Sequence, residues 1–318
     1  MRFGLVGVGR HGIRYARHLL GGDVPGARLA AICRRDETRG RALAEEWDVA
    51  FHRDVFSLAH DGGVDALLVV SLSEHHAESV DAAAEARKPV LVEKPLAPDL
   101  AGCDRIADSA EKAGIAVMVA QTSRYEGVIE GLFRAVPSIE PVREVFFSLR
   151  SEDRTHEEGV FRESLSDGGA LLDSGVHYFD LLPRLIGPVE EVWCETHFLR
   201  GSPIDDGYTA LFRFGGGGRA VVDMGRWGGS RHEAIQVVGE GGILLASRTP
   251  AALERVVGRE RGAVPFPEVP GTLIPALRDF VRVCRGEAKP PIGIADGRAA
   301  VALVDACRRS RGRWVRAD

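Results

Sequence analysis

Six residues near the N-terminus, Gly7-Val8-Gly9-Arg10-His11-Gly12, restrict the fold of this chain more than any other segment. They follow the apolar run Arg2–Val6 and open a stretch with helical spacing, Ile13–Leu20. A G-x-G-x-x-G pattern alone says little, but between a strand and a helix each glycine has a physical task. Gly7 permits a tight turn, Gly9 lets a diphosphate approach the backbone, and Gly12 lets helix and strand pack closely. Free N–H groups at the helix N-terminus then favour a bound anion. The segment predicts a dinucleotide site, with Gly7, Gly9, Arg10, His11 and Gly12 around the phosphates; the alternative is a glycine turn that binds nothing.

The segments that follow fit such a domain. Apolar runs at Arg28–Cys33, Ala66–Val70, Val90–Val92 and Ala116–Val119 alternate with helical spacing at Arg39–Glu46, Ala77–Ala86 and Leu100–Ala113. Strand runs without polar alternation, separated by helices, predict a doubly wound parallel sheet covered on both faces. After about Gln121 the pattern changes. A helix at Tyr125–Ala135 and a strand at Val142–Arg150 precede a long loop and a helix over Gly168–Ile186. Strand runs then dominate: Val189–Leu199, Tyr208–Phe214, Arg219–Met224, Ala234–Val238 and Ile243–Ala246, with a hairpin turn at Gly215–Gly218. Helices at Ile274–Arg285 and Ala295–Arg309 close the chain. The expectation is α/β plus α+β: a dinucleotide-binding domain over 1–121, and a substrate and oligomerisation domain over 122–318 built on an open, mostly antiparallel sheet.

Composition removes several function classes. Among 318 residues, 41 basic and 46 acidic side chains leave a net charge of -5, without the basic footprint of a nucleic-acid binder. Cys33, Cys103, Cys194, Cys284 and Cys307 are odd in number and widely spaced, which speaks against a disulfide framework or a zinc site. No apolar run approaches the roughly 20 residues of a membrane span, and the N-terminus lacks a signal-peptide pattern. A cytoplasmic protein with a small-molecule partner and no membrane or nucleic-acid partner is expected.

The end of the second strand bears on cofactor choice. An acidic residue there would bind the ribose 2′-hydroxyl of NAD, but Cys33 is followed by Arg34 and Arg35, with Asp36 behind them. Guanidinium groups grip a 2′-phosphate, so NADP(H) is expected over NAD(H). In the alternative, the arginines are solvated and Asp36 takes the ribose.

Two further constellations carry chemistry. Val90-Leu91-Val92-Glu93-Lys94-Pro95 ends a buried strand in charge, at the sheet edge where ligands bind in open α/β folds. A lysine there could hydrogen-bond a substrate oxygen and favour developing negative charge, or simply be solvated. The apolar helix that begins at Gly168-Gly169 places Asp173, His177 and Asp180 at i, i+4 and i+7, as one polar stripe. A histidine beside carboxylates suits proton transfer near neutral pH; the alternative is a core histidine satisfied by its aspartates. A metal at Asp173 and His177 would need a third ligand, and none is evident nearby.

These motifs, in this order and spacing, resemble the glucose-fructose oxidoreductase / inositol dehydrogenase / rhizopine-catabolism (Gfo/Idh/MocA) family along essentially the whole chain. The resemblance rests on the glycine loop, Glu93-Lys94-Pro95, the Gly-Gly…Asp173-x-Gly-x-His177-x-x-Asp180 pattern and Ala295-Asp296-Gly297-Arg298-Ala299. It implies a Rossmann domain, a second domain whose open sheet mediates a homodimer or homotetramer, and oxidation or reduction of a hydroxyl or ketone on a sugar, cyclitol or related polyol. It implies that Lys94 bonds the reacting oxygen, His177 donates or accepts the proton and Asp173 orients substrate. Ser71, His76, Glu93 and Lys94 are implied on the cofactor side. Many NAD-using members have Asp where this chain has Arg34. Ser71-Leu72-Ser73 stands where Thr-Pro-Asn is common. Arg124, Tyr125, Arg154, His156, Arg162 and Trp227 are candidate substrate contacts. A sensor that binds the cofactor without catalysis is the alternative function, and retention of Lys94 and His177 speaks against it.

Overall fold

In the computed structural model, which describes residues 1–152, 169–199 and 204–318, the five apolar runs of the N-terminal part become strands of a six-stranded parallel sheet, and the sixth strand, Ala50–His52, was not anticipated. The strands are β1 (Arg2–Val6), β2 (Arg28–Cys33), β3 (Ala50–His52), β4 (Ala66–Val69), β5 (Val90–Glu93) and β6 (Val117–Ala120), in the order β3-β2-β1-β4-β5-β6. Every residue of β4, β5 and β6 is buried, as strands with helices on both faces require. Chain direction across the sheet reverses between β1 and β4, so the loops after these strands flank the switch point where open α/β sheets bind ligands.

The helices of this part are α1 (Arg10–Leu20), α2 (Glu37–Trp47), α3 (Val55–Ala59), α4 (His76–Glu85) and α5 (Leu100–Ala113). Local chemistry sets their ends. Asp36, Asp54 and Asp99 cap α2, α3 and α5 by accepting from Arg39, Ser57 and Gly102 N–H. Gly114 ends α5 at φ +65°, a left-handed conformation that favours glycine.

Two compact units divide the chain: Met1–Thr122 with Gly271–Arg298, and Ser123–Pro270 with Ala299–Asp318. The expected break after 121 lies at that boundary, but the single domain over 122–318 needs correction, because Gly271–Arg298 returns to the first unit. Packing explains it. Phe280 stacks on Phe3 of β1 at 5.7 Å, and Val119 N–H of β6 donates to the Ile292 carbonyl at 2.9 Å.

The second unit holds a sheet of nine strands among its described residues: β7 (Val142–Glu152), β8 (Val189–His197), β9 (Gly207–Phe214), β10 (Arg219–Gly228), β11 (His232–Gly239), β12 (Gly242–Arg248), β13 (Ala251–Val257), β14 (Glu260–Ala263) and β15 (Val315–Arg316). All its pairings are antiparallel except β7 with β10. Along β7, buried Val145, Phe147 and Leu149 alternate with more accessible Glu144, Phe146 and Ser148, the period of a sheet covered on one face. The cover includes α7 (Gly169–Phe179): Tyr178 packs 5.3 Å from Phe147, and Phe179 meets Tyr208 and Phe212 edge-on. The helix α6 (Gly127–Ala135) precedes β7.

The helix expected over Gly168–Ile186 is two helices, α7 and the short α8 (Leu182–Leu185). Pro183 explains the break, since it has no N–H for the Phe179 carbonyl and its ring crowds that oxygen. The strands β13, β14 and β15 were not anticipated. β14 and β15 are the two edges of the sheet and β13 lies next to β14, and charged residues such as Glu254, Arg255, Glu260 and Arg261 obscure the apolar alternation there. The hairpin at Gly215–Gly218 joins β9 to β10, and Gly217 N–H donates to the Phe214 carbonyl at 2.9 Å.

Candidate functional site

The glycine loop meets each demand made of it. Gly7 has φ +89°, and a Cβ there would lie 2.6–2.7 Å from the backbone of Val70 and Ser71. A Cβ on Gly12 would lie 2.0 Å from the Gly7 carbonyl oxygen, whereas one on Gly9 would meet nothing within 4 Å. Two glycines are therefore required by packing and the third keeps a space open. Gly9 is also the N-cap of α1. Among the described residues no side chain caps that helix, and its first turn has no acid, so its N-terminal N–H groups suit an anion. Two buried polar atoms beside the loop, Ser71 Oγ and Arg34 Nε, have no hydrogen-bond partner among the described residues. Open space, free N–H groups and orphaned polar atoms fit a dinucleotide diphosphate.

Arg10 is exposed at this loop, while His11 turns toward the strand end behind it. Glu93, 6% exposed, closes β5 beneath α1. Its Oε1 accepts from Tyr15 O–H at 2.5 Å and from His11 Nε2 at 2.7 Å, and its Oε2 accepts from Lys94 N–H at 3.1 Å. Burial alone would raise this carboxyl, but the His11 hydrogen bond and charge, the Tyr15 hydroxyl and the Lys94 charge outweigh it and hold it at about 2. Glu93, expected on the cofactor side, thus anchors the glycine-loop helix through its carboxylate. Lys94 itself is half-buried at the end of β5, and the Lys94–Pro95 peptide is cis.

His76, also expected on the cofactor side, is held within the protein. Its ring is 1% exposed, with Nε2 3.0 Å from the Ser71 carbonyl and Nδ1 3.0 Å and 3.3 Å from those of Pro95 and Leu96. It braces the loop after β4 against the Glu93-Lys94-Pro95 turn, and burial lowers its pKa against the pull of those carbonyls and Glu93. Arg34 is partly buried, and its guanidinium Nη1 donates to the Val8 carbonyl of the glycine loop. Arg35 is exposed, and Asp36 serves as the cap of α2.

In the second unit, α7 is the helix of interest. Nine of its eleven residues are buried, and the two that are not are Asp173 and His177. Its N-terminus is capped from elsewhere in the chain. Asp205 O accepts from Ala170 N–H at 3.0 Å and Asp205 Oδ2 from Leu171 N–H at 2.6 Å. Gly169, at φ +82°, makes room, because a Cβ there would lie 2.1 Å from Asp205 Oδ1. Asp173 pairs with Arg226, and His177 Nδ1 lies 3.0 Å from Ser123 Oγ.

Asp180 does not continue the stripe as a partner for proton transfer. It follows the end of α7, and its carboxylate takes a two-pronged bond from Arg124, at 2.6 Å from Nε and 2.5 Å from Nη2. With side-chain exposures of 9% and 1%, this is a buried ion pair. Arg124, expected as a substrate contact, is held by Asp180 in this pair. Tyr125 is half-buried at the end of the 3-10 turn Thr122–Tyr125. Trp227 lies across Gly207 and Gly225, a cross-strand pair whose Cβ atoms would strike its ring. Arg154, His156 and Arg162 lie outside the described residues. Sequence reasoning missed Tyr15, Ser123, Arg226 and Arg248. Only Tyr15 left a signal, one turn after His11 on α1.

The profile of the oxidoreductase family with an NAD-binding Rossmann fold, GFO_IDH_MocA, matches residues 1–121, and that of the GFO/IDH/MocA C-terminal domain matches 141–245. The chain is 30% identical to inositol 2-dehydrogenase of Acidothermus cellulolyticus, over 98% of this chain and 92% of the relative. It is 29% identical to myo-inositol 2-dehydrogenase of Thermotoga maritima, over 98% and 96%. A crystal structure from Thermotoga maritima, described as a probable dehydrogenase, superposes with a TM-score of 0.85 at 26% identity, covering 100% of this chain and 99% of that one. The chain therefore belongs to the Gfo/Idh/MocA family of oxidoreductases, and its first unit carries the family's NAD-binding Rossmann fold.

Proposed function

We propose that this protein is a dehydrogenase or reductase that acts on a hydroxyl or ketone carbon of a sugar, cyclitol or related polyol, and that it prefers NADP(H) to NAD(H). The observation that carries the reaction is α7, an otherwise buried helix whose accessible residues are Asp173 and His177, one turn apart. An ionisable pair left accessible on a buried helix serves a ligand better than it serves packing. His177 exchanges a proton with the substrate oxygen, Lys94 steadies that oxygen and Asp173, oriented by Arg226, holds a neighbouring hydroxyl. The nicotinamide, when bound, supplies the hydride acceptor or donor. Relatives named as inositol dehydrogenases support the polyol class.

The NADP(H) preference is supported by Arg34, whose guanidinium is held at the glycine loop with Nε unpartnered, and by the use of Asp36 as a helix cap. A homodimer or homotetramer is supported by the face of the second sheet opposite α7. There Leu245, Gln236, Phe146, Val221, Leu211 and Trp193 form one half-buried row across six strands. Light scattering of the purified protein tests this, and a monomer at all concentrations rejects it.

The decisive experiment is nicotinamide-linked turnover across a polyol, sugar and ketone panel, with Lys94→Ala and His177→Ala beside the parent. Both variants are expected to lose turnover while retaining cofactor binding. Near-parental rates in either would overturn the assignment. Tight cofactor binding without turnover on any substrate would favour a sensor.

A further inference from the structure

Behind His177 lies a buried polar network. Ser123 is 3% exposed, and its Oγ sits 3.0 Å from His177 Nδ1. From another side Arg248 Nη2 donates to the same oxygen at 3.3 Å. Arg248 ends β12 and is itself fixed: Nε donates to Glu126 Oε2 at 2.5 Å, Nη2 reaches Glu126 Oε1, and Nη1 lies 2.8 Å from Glu233 Oε2. Glu233, 2% exposed, also accepts from Tyr178 O–H at 3.2 Å and pairs with Arg231. Two guanidiniums thus balance two carboxylates, and the assembly holds the Ser123 hydroxyl in place without adding net charge beside the imidazole.

Proton exchange at Nε2 places a condition on Nδ1. As a base, the imidazole must be neutral with Nε2 bare, so its proton must sit on Nδ1; as an acid, it must be protonated at both nitrogens. Nδ1 therefore carries a proton in both working states and needs an acceptor in both. The hydrogen bond at one ring nitrogen sets which tautomer prevails. Arg248 only donates, so it occupies one lone pair of Ser123 Oγ and leaves the other for Nδ1–H.

We propose that Ser123, held by Arg248, is a positioning residue that keeps His177 in the Nδ1–H tautomer and so leaves Nε2 as the proton-exchanging atom. This rests on the assignment of proton transfer to His177. The test is the imidazole nitrogen NMR spectrum of the full-length protein with the rings neutral, the His177 signals being assigned by their loss in His177→Asn. The parent is expected to show the Nδ1–H pattern at His177, Ser123→Ala to lose that preference, and Ser123→Thr, which keeps the hydroxyl, to restore it. Loss of one hydrogen bond should lower kcat in Ser123→Ala by about ten-fold with KM little changed. A parental spectrum of the Nε2–H form, or an unchanged one in Ser123→Ala, overturns the proposal. Turnover retained in His177→Asn is a different failure: it removes the role of His177, while the spectra still decide what Ser123 does to its tautomer.

Discussion

Replacing Gly9 with alanine separates ligand binding from folding, which no other glycine of the loop allows. Gly9 has φ -85° and ψ -166°, extended backbone that alanine adopts freely, and its added methyl would meet nothing within 4 Å. As an N-cap, alanine is poorer than glycine by roughly 0.5 kcal/mol. The stiffer unfolded chain returns about 0.4–1 kcal/mol, so stability should change by less than about 0.5 kcal/mol. Binding is another matter. The methyl would stand where a diphosphate must approach the N-terminal N–H groups of α1. Forfeiting one charge-assisted hydrogen bond, worth about 1.5–3 kcal/mol, predicts a Kd about ten- to a hundred-fold weaker.

Nicotinamide fluorescence titration with NADPH and NADH, beside a thermal melt, reads both quantities. Gly12→Ala is the contrast: its Cβ would lie 2.0 Å from a backbone oxygen, so it should fail in the melt as well as in the titration. Parental cofactor affinity in Gly9→Ala would refute the assignment of the loop as the diphosphate cradle. A large loss of stability in that variant would refute the open space inferred above it.

Other consequences can be measured directly. The Glu93 carboxyl, held at about 2 against an ordinary value of 4.5, contributes stability that is fully present above pH 4.5 and is lost as pH falls toward 2. The difference corresponds to about 3 kcal/mol, so denaturant melts between pH 5 and 2 should show a shallower acid loss in Glu93→Gln; parallel curves would contradict the anchor role. Arg34→Ala should weaken NADPH at least about ten-fold and leave NADH nearly unchanged, since a 2′-phosphate contact is charge-assisted. Equal affinities in parent and variant would confine Arg34 to its bond with the Val8 carbonyl. Arg124→Ala strands Asp180 in the interior and should cost about 3–5 kcal/mol in urea unfolding, whereas unchanged stability with a raised KM would return Arg124 to the substrate side.

What the sequence disclosed was what neighbouring residues decide. The tasks of Gly7, Gly9 and Gly12 follow from a strand, a turn and a helix within a dozen positions, and the structure gives each glycine the space or the crowding its task requires. The one-turn spacing of Asp173 and His177 was legible for the same reason, and so was the burial of the helix around them. Their partners were not. Asp173 meets Arg226 across 53 positions, His177 meets Ser123 across 54, and Glu126 meets Arg248 across 122. Which charge faces which depends on the register of β10 and β12, and nothing local to Arg226 or Arg248 reports it. Arg124 and His76 show the converse case. Each is a polar residue at a strand or helix end, where ligands gather, yet a carboxylate and three carbonyls already hold them. A polar side chain at such an end is a candidate ligand only after its bonds within the protein have been counted. By that measure Asp173 and His177, accessible on a helix that is otherwise buried, carry more weight than the charged residues around them.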